Sequence, residues 1–497
     1  MRYDVTKKRK GRGLHIRTKP KSPRSLKMKV TAFFSRRTIF SLSVLIWLTS
    51  IASLYLVSVF TVTVILLAAE MAAYAVLAYR DDNTSLWLKR IRIFAACTGV
   101  VLSIVWLTVH PYALLIVFQA LGLAIGGFDF VLRFIRGLPR WKDGKLMKRT
   151  LAAVQIAVIL AGTFAGLWLV KIAANPEDYV LSLRRDGSGN SFEAPATQSV
   201  VWENDYYYTN DVSYESKYPN GFFDIYSSEE DFSVQRPVFI YAHGGGYIFG
   251  DKFTGDPNVA EFTGFKKMAK TMLEAGYTVI SYNYALAPEY KYPTPIVQMS
   301  ELIRFLQKHS KEYGVDMQRV VLGGGSAGAL MSGQFSIIQT NPEYAKEMGM
   351  EPVISGDDIK AVYFGSALFD PTRAGHSGFF PVDYIYYQML RAYFGAGSLE
   401  DNAGAKQANI TAHVTKDFPA SYITDGFIAS FPYQAHELDR RLDDLGVSHR
   451  SLIYDWGSTD SMLMHGYDML DSIEAEMNLR NFIDFLSERV ESKEQSR

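Results

Sequence analysis

The chain has 497 residues, is 48% hydrophobic and carries a formal net charge of +1, a balance that fits an ordinary globular or membrane protein. Its single cysteine, Cys97, excludes an intramolecular disulfide and any thiolate metal cluster built within one chain. The charges are unevenly spread, and the asymmetry divides the sequence into a basic arm (1–37), an apolar region (38–174), a polar linker (175–195) and a mixed, Tyr-rich remainder (196–497).

The arm is crowded with Lys and Arg. Beside an apolar run such an arm sets topology and touches anionic lipid more often than it binds nucleic acid, so no nucleic-acid partner is expected. Between Thr38 and Tyr79 the only ionisable carboxylate or base is Glu70, and a run of roughly 40 residues is twice what one helix needs to cross a bilayer. Two helices are expected there, followed by others over Ile93–Val109, Tyr112–Leu132 and Leu151–Val170, with His110 and Pro111 at a turn. Five spans put the arm, the Arg80–Arg92 connection and the Arg133–Arg149 connection all on the cytoplasmic side, as the positive-inside tendency asks. The C-terminal part then faces outward, with the lipid bilayer as a partner of the helices. A cleavable signal peptide would leave four further apolar runs unexplained. Glu70 reads as a tolerated, partly paired group, and the spans carry no cluster of ionisable residues of the kind a transport pathway needs.

The stretch RRDGSGNSFEAP ends the linker. Downstream, β-rich runs (PVFIYA, TVISYNY, RVVLGG) alternate with helical patterns near Phe265–Ala275, near Pro295–His309 and after Ser326. Such alternation implies a mostly parallel sheet with helices on both faces.

The segment Gly324–Gly328, GGSAG, ends one of these strands and opens a helix. Small residues let a tight strand-to-helix turn pass close to its neighbours and lift the Ser326 hydroxyl into solvent beside a helix N-terminus. About 80 residues earlier, HGGG (His243–Gly246) follows another strand, where exposed backbone amides can meet developing negative charge. Three histidines follow Ser326. His436 falls within a helical pattern and His449 begins a strand, whereas His465 lies in a loop ahead of the last helix, where catalytic groups are commonly carried.

Taken together, HGGGY, YNYALAPEYKYP (Tyr282–Pro293), GGSAG and HGY (His465–Tyr467) resemble the hormone-sensitive-lipase-like esterases, from about Arg236 to the C-terminus. The resemblance implies an α/β-hydrolase fold and hydrolysis of carboxylic esters without metal or organic cofactor. It also implies a Ser, acid, His triad in that chain order: Ser326 as nucleophile, His465 as base, and Gly245, Gly246 and Ala327 as oxyanion donors. Two departures stand out. The residue before the nucleophile is Gly325 where the family frequently has Asp, and in ASYITDGFIASF Ala429 occupies the slot where the acid is expected. Asp425, at the end of the strand-like ASYIT, is the first candidate acid, and Asp370, after AVYFGSALF, is the second. Either can instead be a turn or capping residue.

The aromatic stretch Phe379–Phe394 is read as a wall of the site, a lipid contact or plain core, and Tyr206–Tyr208 as an early strand. The expectation is a membrane-anchored, outward-facing serine hydrolase, a carboxylesterase or deacetylase acting on a small-molecule or polymer-linked ester through an acyl-enzyme. An acyltransferase using the same triad, a catalytically inactive binding module and a transporter fused to a hydrolase are the alternatives.

Overall fold

A computed structural model describes residues 38–490 apart from 54–59, 82–83, 110–111, 138–145, 185–189, 191–196, 198, 202–205, 231, 233 and 253–262. The basic arm, the His110–Pro111 turn, much of the Arg133–Arg149 connection and most of the RRDGSGNSFEAP stretch lie outside the described residues.

The apolar region folds as α1 (Thr38–Ser53), α2 (Phe60–Arg80), α3 (Leu86–Val109), α4 (Tyr112–Gly137) and α5 (Leu146–Ala174). The Thr49 hydroxyl donates to Glu70 Oε1 at 2.9 Å. In one straight helix these residues would be about 30 Å apart, so the chain reverses between them. Glu70 is thus partly paired, through Thr49. On length and composition the expectation of five spans narrows to one: among the described residues only Thr61–Arg80 is both long and apolar enough to cross a membrane, and the apolar stretches Thr38–Ser53, Leu115–Asp129 and Leu160–Ala174, in α1, α4 and α5, are shorter.

The bundle interior is mostly apolar, with Ile46, Leu67, Met71, Phe118 and Leu123 buried, but it encloses a polar cluster. Arg92 donates from Nε and Nη2 to Asp129 Oδ1 at 2.8 and 2.6 Å, and the Tyr74 hydroxyl donates to Asp129 Oδ2, tying α2, α3 and α4 together. Trp47 Nε1 donates to the Thr163 hydroxyl at 2.9 Å, joining α1 to α5. Against the expectation that the spans hold no cluster of ionisable residues of the kind a transport pathway needs, the structure sets a buried ion pair, whose members stand 37 residues apart along the chain.

The linker also begins later than its composition suggests. Pro176–Leu183 form a short helix, α6, with Pro in its first turn, Glu177 and Asp178 at its positive end and Val180 fully buried.

From Ser199 onward one nine-stranded sheet organises the chain, in the order β1-β2-β3-β5-β4-β6-β7-β8-β9. Its strands are β1 (Ser199–Val201), β2 (Tyr207–Ser213), β3 (Phe222–Ser227), β4 (Arg236–Ala242), β5 (Thr278–Tyr282), β6 (Val315–Gly325), β7 (Ile359–Gly365), β8 (Ser421–Asp425) and β9 (His449–Ile453). β1 to β3 pair antiparallel, β3 joins β5 antiparallel, and the strands from β5 to β9 are mutually parallel. The helices are α7 (Thr263–Glu274), α8 (Thr294–Lys308), α9 (Ala327–Thr340), α10 (Pro342–Met348), α11 (Phe380–Phe394), α12 (Ala403–Gln407), α13 (Ile410–His413), α14 (Pro432–Leu445) and α15 (Ile473–Val490).

Strand alternation builds a core on each face. Val238, Ile240 and Ala242 of β4 belong to the apolar cluster that also takes in residues of α8, α9 and α14, whereas Phe239 and Tyr241 point the other way, into a cluster with Phe265 and Met272 of α7 and Phe482 and Phe485 of α15. A mostly parallel sheet covered on both faces, with a sharp turn from β6 into α9, is the α/β-hydrolase fold. Parallel strands point the same way, so the loops after β4, β6, β7, β8 and β9 gather at one end of the sheet, where such folds carry their sites.

Candidate active site

The turn between β6 and α9 holds Ser326 at φ 53° and ψ −114°, a conformation that L-residues avoid and that is stored at functional turns. Its backbone N–H donates to the Gly365 carbonyl at 2.8 Å. The turn needs small neighbours. A side chain on Gly328 would meet the Ala242 carbonyl oxygen at 2.0 Å. The HGGG loop after β4 therefore lies against the nucleophile turn: a Cβ added at Gly244 would stand 3.4 Å from Ser326 Cβ.

Gly245, Gly246 and Tyr247 all have positive φ, at 99°, 60° and 64°. Consecutive residues of this kind curl their amides around a concavity suited to an anion. His243 is a support for this loop. Its ring stacks on Tyr284 at 4.2 Å, its Nδ1 lies 2.8 Å from the Gly244 carbonyl, and burial pushes its imidazole down to about 4. Farther along the loop, the fully buried Lys252 ammonium lies 2.6 Å from Asp211 and 3.0 Å from Asp224, fixing the loop to β2 and β3. Buried charges persist only when compensated in this way.

His465 sits in the loop after β9, with Nε2 2.9 Å from Ser326 Oγ. Its Nδ1 lies 2.8 Å from the Ser430 hydroxyl, which stands 2.5 Å from Asp425 Oδ1. The structure thus brings Ser326, His465 and Asp425 together, with Ser430 interposed. Asp425 ends β8 with no exposure and accepts also from the Phe431 amide at 3.1 Å. An ionised carboxylate only accepts, so the Ser430 O–H donates to Asp425; the Ser430 oxygen then accepts from His465 Nδ1–H. Nε2 is left bare, the tautomer that takes a proton from Ser326.

Burial pushes the Asp425 carboxyl up to about 7, against the hydrogen bonds of Ser430, Ser366 and the Phe431 amide, and pushes the His465 imidazole down to about 4. Ser366, at φ 45° after β7, also accepts from the Gly466 amide at 2.9 Å, which steadies the histidine loop.

The other candidates fall elsewhere. Asp370 caps the turn Pro371–Arg373: its carboxylate accepts from the Thr372 amide and hydroxyl at 3.1 and 2.6 Å and from Arg373 Nε at 3.1 Å. Ala429 is buried with φ 52°, its carbonyl facing the Tyr386 hydroxyl at 3.4 Å. His436 lies on α14, 2.9 Å from Asp455, and His449 on β9, 3.2 Å from Asp439. The role of Ser430 was not read from the sequence, where only its place five residues after Asp425 marks it.

The aromatic stretch is α11, and its middle, from Tyr386 to Met389, roofs the site. The Tyr386 ring lies 5.3 Å from that of His465, and Met389 packs on Gly246.

A family model described as BD-FAE matches residues 223–430, which span β3 to the relay serine. The chain is 26% identical over 193 residues to esterase LipI of Mycobacterium tuberculosis, covering 38% of this chain and 54% of that protein. It is 30% identical over 99 residues to an acetyl esterase of Salmonella schwarzengrund, covering 20% and 28%. The chain therefore spans about half or less of the length of these relatives. Among solved structures, esterase B from Lactobacillus rhamnosis superposes with a TM-score of 0.47 at 18% identity, over 71% of this chain and 99% of that one.

Proposed function

We propose that the protein is a membrane-anchored serine hydrolase that cleaves carboxylic esters with short acyl groups, its catalytic domain on the outer side of the membrane. The observation that carries the reading is the 2.9 Å contact between Ser326 Oγ and His465 Nε2 beside a loop of three positive-φ residues. Ser326 attacks the ester carbonyl while His465 takes its proton. The amides of Gly245, Gly246 and Ala327, with the α9 N-terminus behind the last of them, stabilise the oxyanion. Asp425 acts through Ser430 to hold the imidazole and to stabilise the imidazolium. The alcohol leaves with that proton, and water, deprotonated by His465, releases the acid from the acyl-enzyme. The esterase names of its relatives support the ester specificity.

The distribution of apolar residues supports the membrane anchor. Leu48, Leu66, Phe94, Ile104, Phe164 and Trp168 face outward, each half or more exposed, while Arg92, Asp129 and Tyr74 lie inside. A bundle in water has the reverse pattern.

Labelling the detergent-solubilised chain with a fluorophosphonate tests the activity. The expected adduct maps to the peptide containing Ser326, and a folded protein that takes no label overturns the reading.

The pH dependence follows from the opposite shifts of Asp425 and His465. Above about 7 Asp425 is a carboxylate and His465 a neutral base, the competent pair. As the pH falls through 7, Asp425 gains a proton and can donate to Ser430, which turns the relay and puts a proton on the wrong imidazole nitrogen. kcat/KM should therefore fall with an apparent pKa near 7 and drop more steeply toward 4. A rate flat from pH 8 to 5 refutes the assignment.

A further inference from the structure

Both walls of the site are bonded to the segment that leaves the bundle. From the roof helix α11, the Tyr384 hydroxyl donates to the Leu169 carbonyl at 2.9 Å, and the buried Arg391 Nη1 donates to the Ala173 carbonyl at 2.6 Å. These carbonyls belong to the last turns of α5, at the level of Lys171, the first charge after a long apolar run. From the other side, Arg184, just after α6, donates from Nε to the Ile248 carbonyl at 2.9 Å, from Nη2 to the Ala287 carbonyl, and pairs with Glu289 at 2.7 Å. Ile248 is two residues beyond Gly246, so the oxyanion loop is clamped to the same exit segment.

The order of the contacts gives the direction. Residue 384 meets 169 and residue 391 meets 173, so α11 and α5 ascend together and the N-terminal end of α11 points toward the bundle. That end carries Phe379 and Phe380, about half exposed, directly after the exposed Gly378. The catalytic rim is apolar as well: Phe249, whose ring lies against Gly245, is 37% exposed, and Met464, beside His465, is 52% exposed.

We propose that the site opens onto the membrane surface and takes an amphiphilic ester held in the outer leaflet by its own hydrocarbon chain. Phe379 and Phe380 dip into the interface, where aromatic side chains are favoured, and hold the rim formed by Phe249 and Met464 at the depth of the ester group. The roof helix is fixed to α5, so the height of Ser326 above the bilayer is set by the bundle and not by a flexible tether. This substrate class rests on the hydrolase and anchor readings above.

The test uses the full chain reconstituted in phosphatidylcholine vesicles and two substrates with the same short acyl group, water-soluble 4-nitrophenyl butyrate and the butyrate ester of a nitrophenol bearing a long alkyl chain, dissolved in the bilayer. The expected result is turnover of both. The double variant Phe379→Ser/Phe380→Ser should raise KM for the bilayer ester, in surface mole fraction, tenfold or more, and leave kcat/KM for the soluble ester within twofold. Wild type that cleaves only the soluble ester, or a variant that loses both alike while still taking fluorophosphonate label, overturns the proposal. Failure on both substrates by wild type, with no label, sinks the hydrolase reading instead. As a measurement independent of turnover, Cys97→Ser/Phe380→Cys bearing an environment-sensitive fluorophore should shift to the blue on reconstitution. Emission matching that in water refutes insertion of this end of α11.

Discussion

Replacing Ser326 by Ala should lower kcat for a short 4-nitrophenyl ester by about 10⁵-fold or more while leaving the chain folded, since removal of a nucleophile that works as one unit with its base costs nearly all of the catalysis that unit supplies. Background turnover above the uncatalysed rate should survive, because the amides of Gly245, Gly246 and Ala327 still receive the oxyanion. The fold should hold for a specific reason. The Ser326 side chain makes no capping bond to α9, and the backbone bonds of the turn, to the Gly365 carbonyl and from Leu330, are independent of it. Thermal unfolding followed by circular dichroism should shift little. Retention of more than a hundredth of the activity would mean that another group is the nucleophile.

Asp425→Asn should cost about 10⁴-fold in kcat, the scale expected when the acid of a triad is made neutral. The relay through Ser430 gives a structural reason. Asn can present its N–H₂ to Ser430, whose hydroxyl then donates to His465 Nδ1, so that Nε2 carries the proton and repels the Ser326 O–H. Ser430→Ala should have a smaller effect, about 10- to 100-fold, because Asp425 still neutralises the imidazolium across the gap while its geometric hold is lost. Ser430→Thr keeps the hydroxyl and should recover most of the rate, which a merely structural role for the side chain would not require. Asp370→Asn is the control: its carboxylate is occupied by Thr372 and Arg373, so activity should stay within about twofold, and because Asn caps about as well as Asp, stability should fall by less than about 1 kcal/mol. Steady-state kinetics on the four variants checks the set. A large loss in Asp370→Asn with none in Asp425→Asn would reverse the assignment of the acid.

Local chemistry carried most of what could be read in advance. GGSAG and HGGG announce themselves because each needs small residues at fixed offsets beside a strand, and a close backbone crossing tolerates little else. The alternation of β-rich runs and helical patterns gives the parallel sheet and its two helical faces for a similar reason, since periods of two and 3.6 are properties of neighbours in sequence. His465 was identifiable from its place in a loop after a strand, and Asp425 from its place at a strand end, although the neighbouring Ala429 drew attention to a slot that geometry leaves empty. What tertiary structure alone decided are the pairings across distance. Nothing local joins Ser430 to a histidine 35 residues later, Arg92 to an aspartate 37 residues later, or Arg391 to the end of a helix 218 residues earlier. The helix Pro176–Leu183 was read as linker because eight residues carry too weak a pattern, and the burial that stabilises it comes from α11 some 200 residues on. Hydrogen bonds and buried ion pairs hold only where folding has already excluded water, so the residues that tune this site become visible once the chain has closed around them.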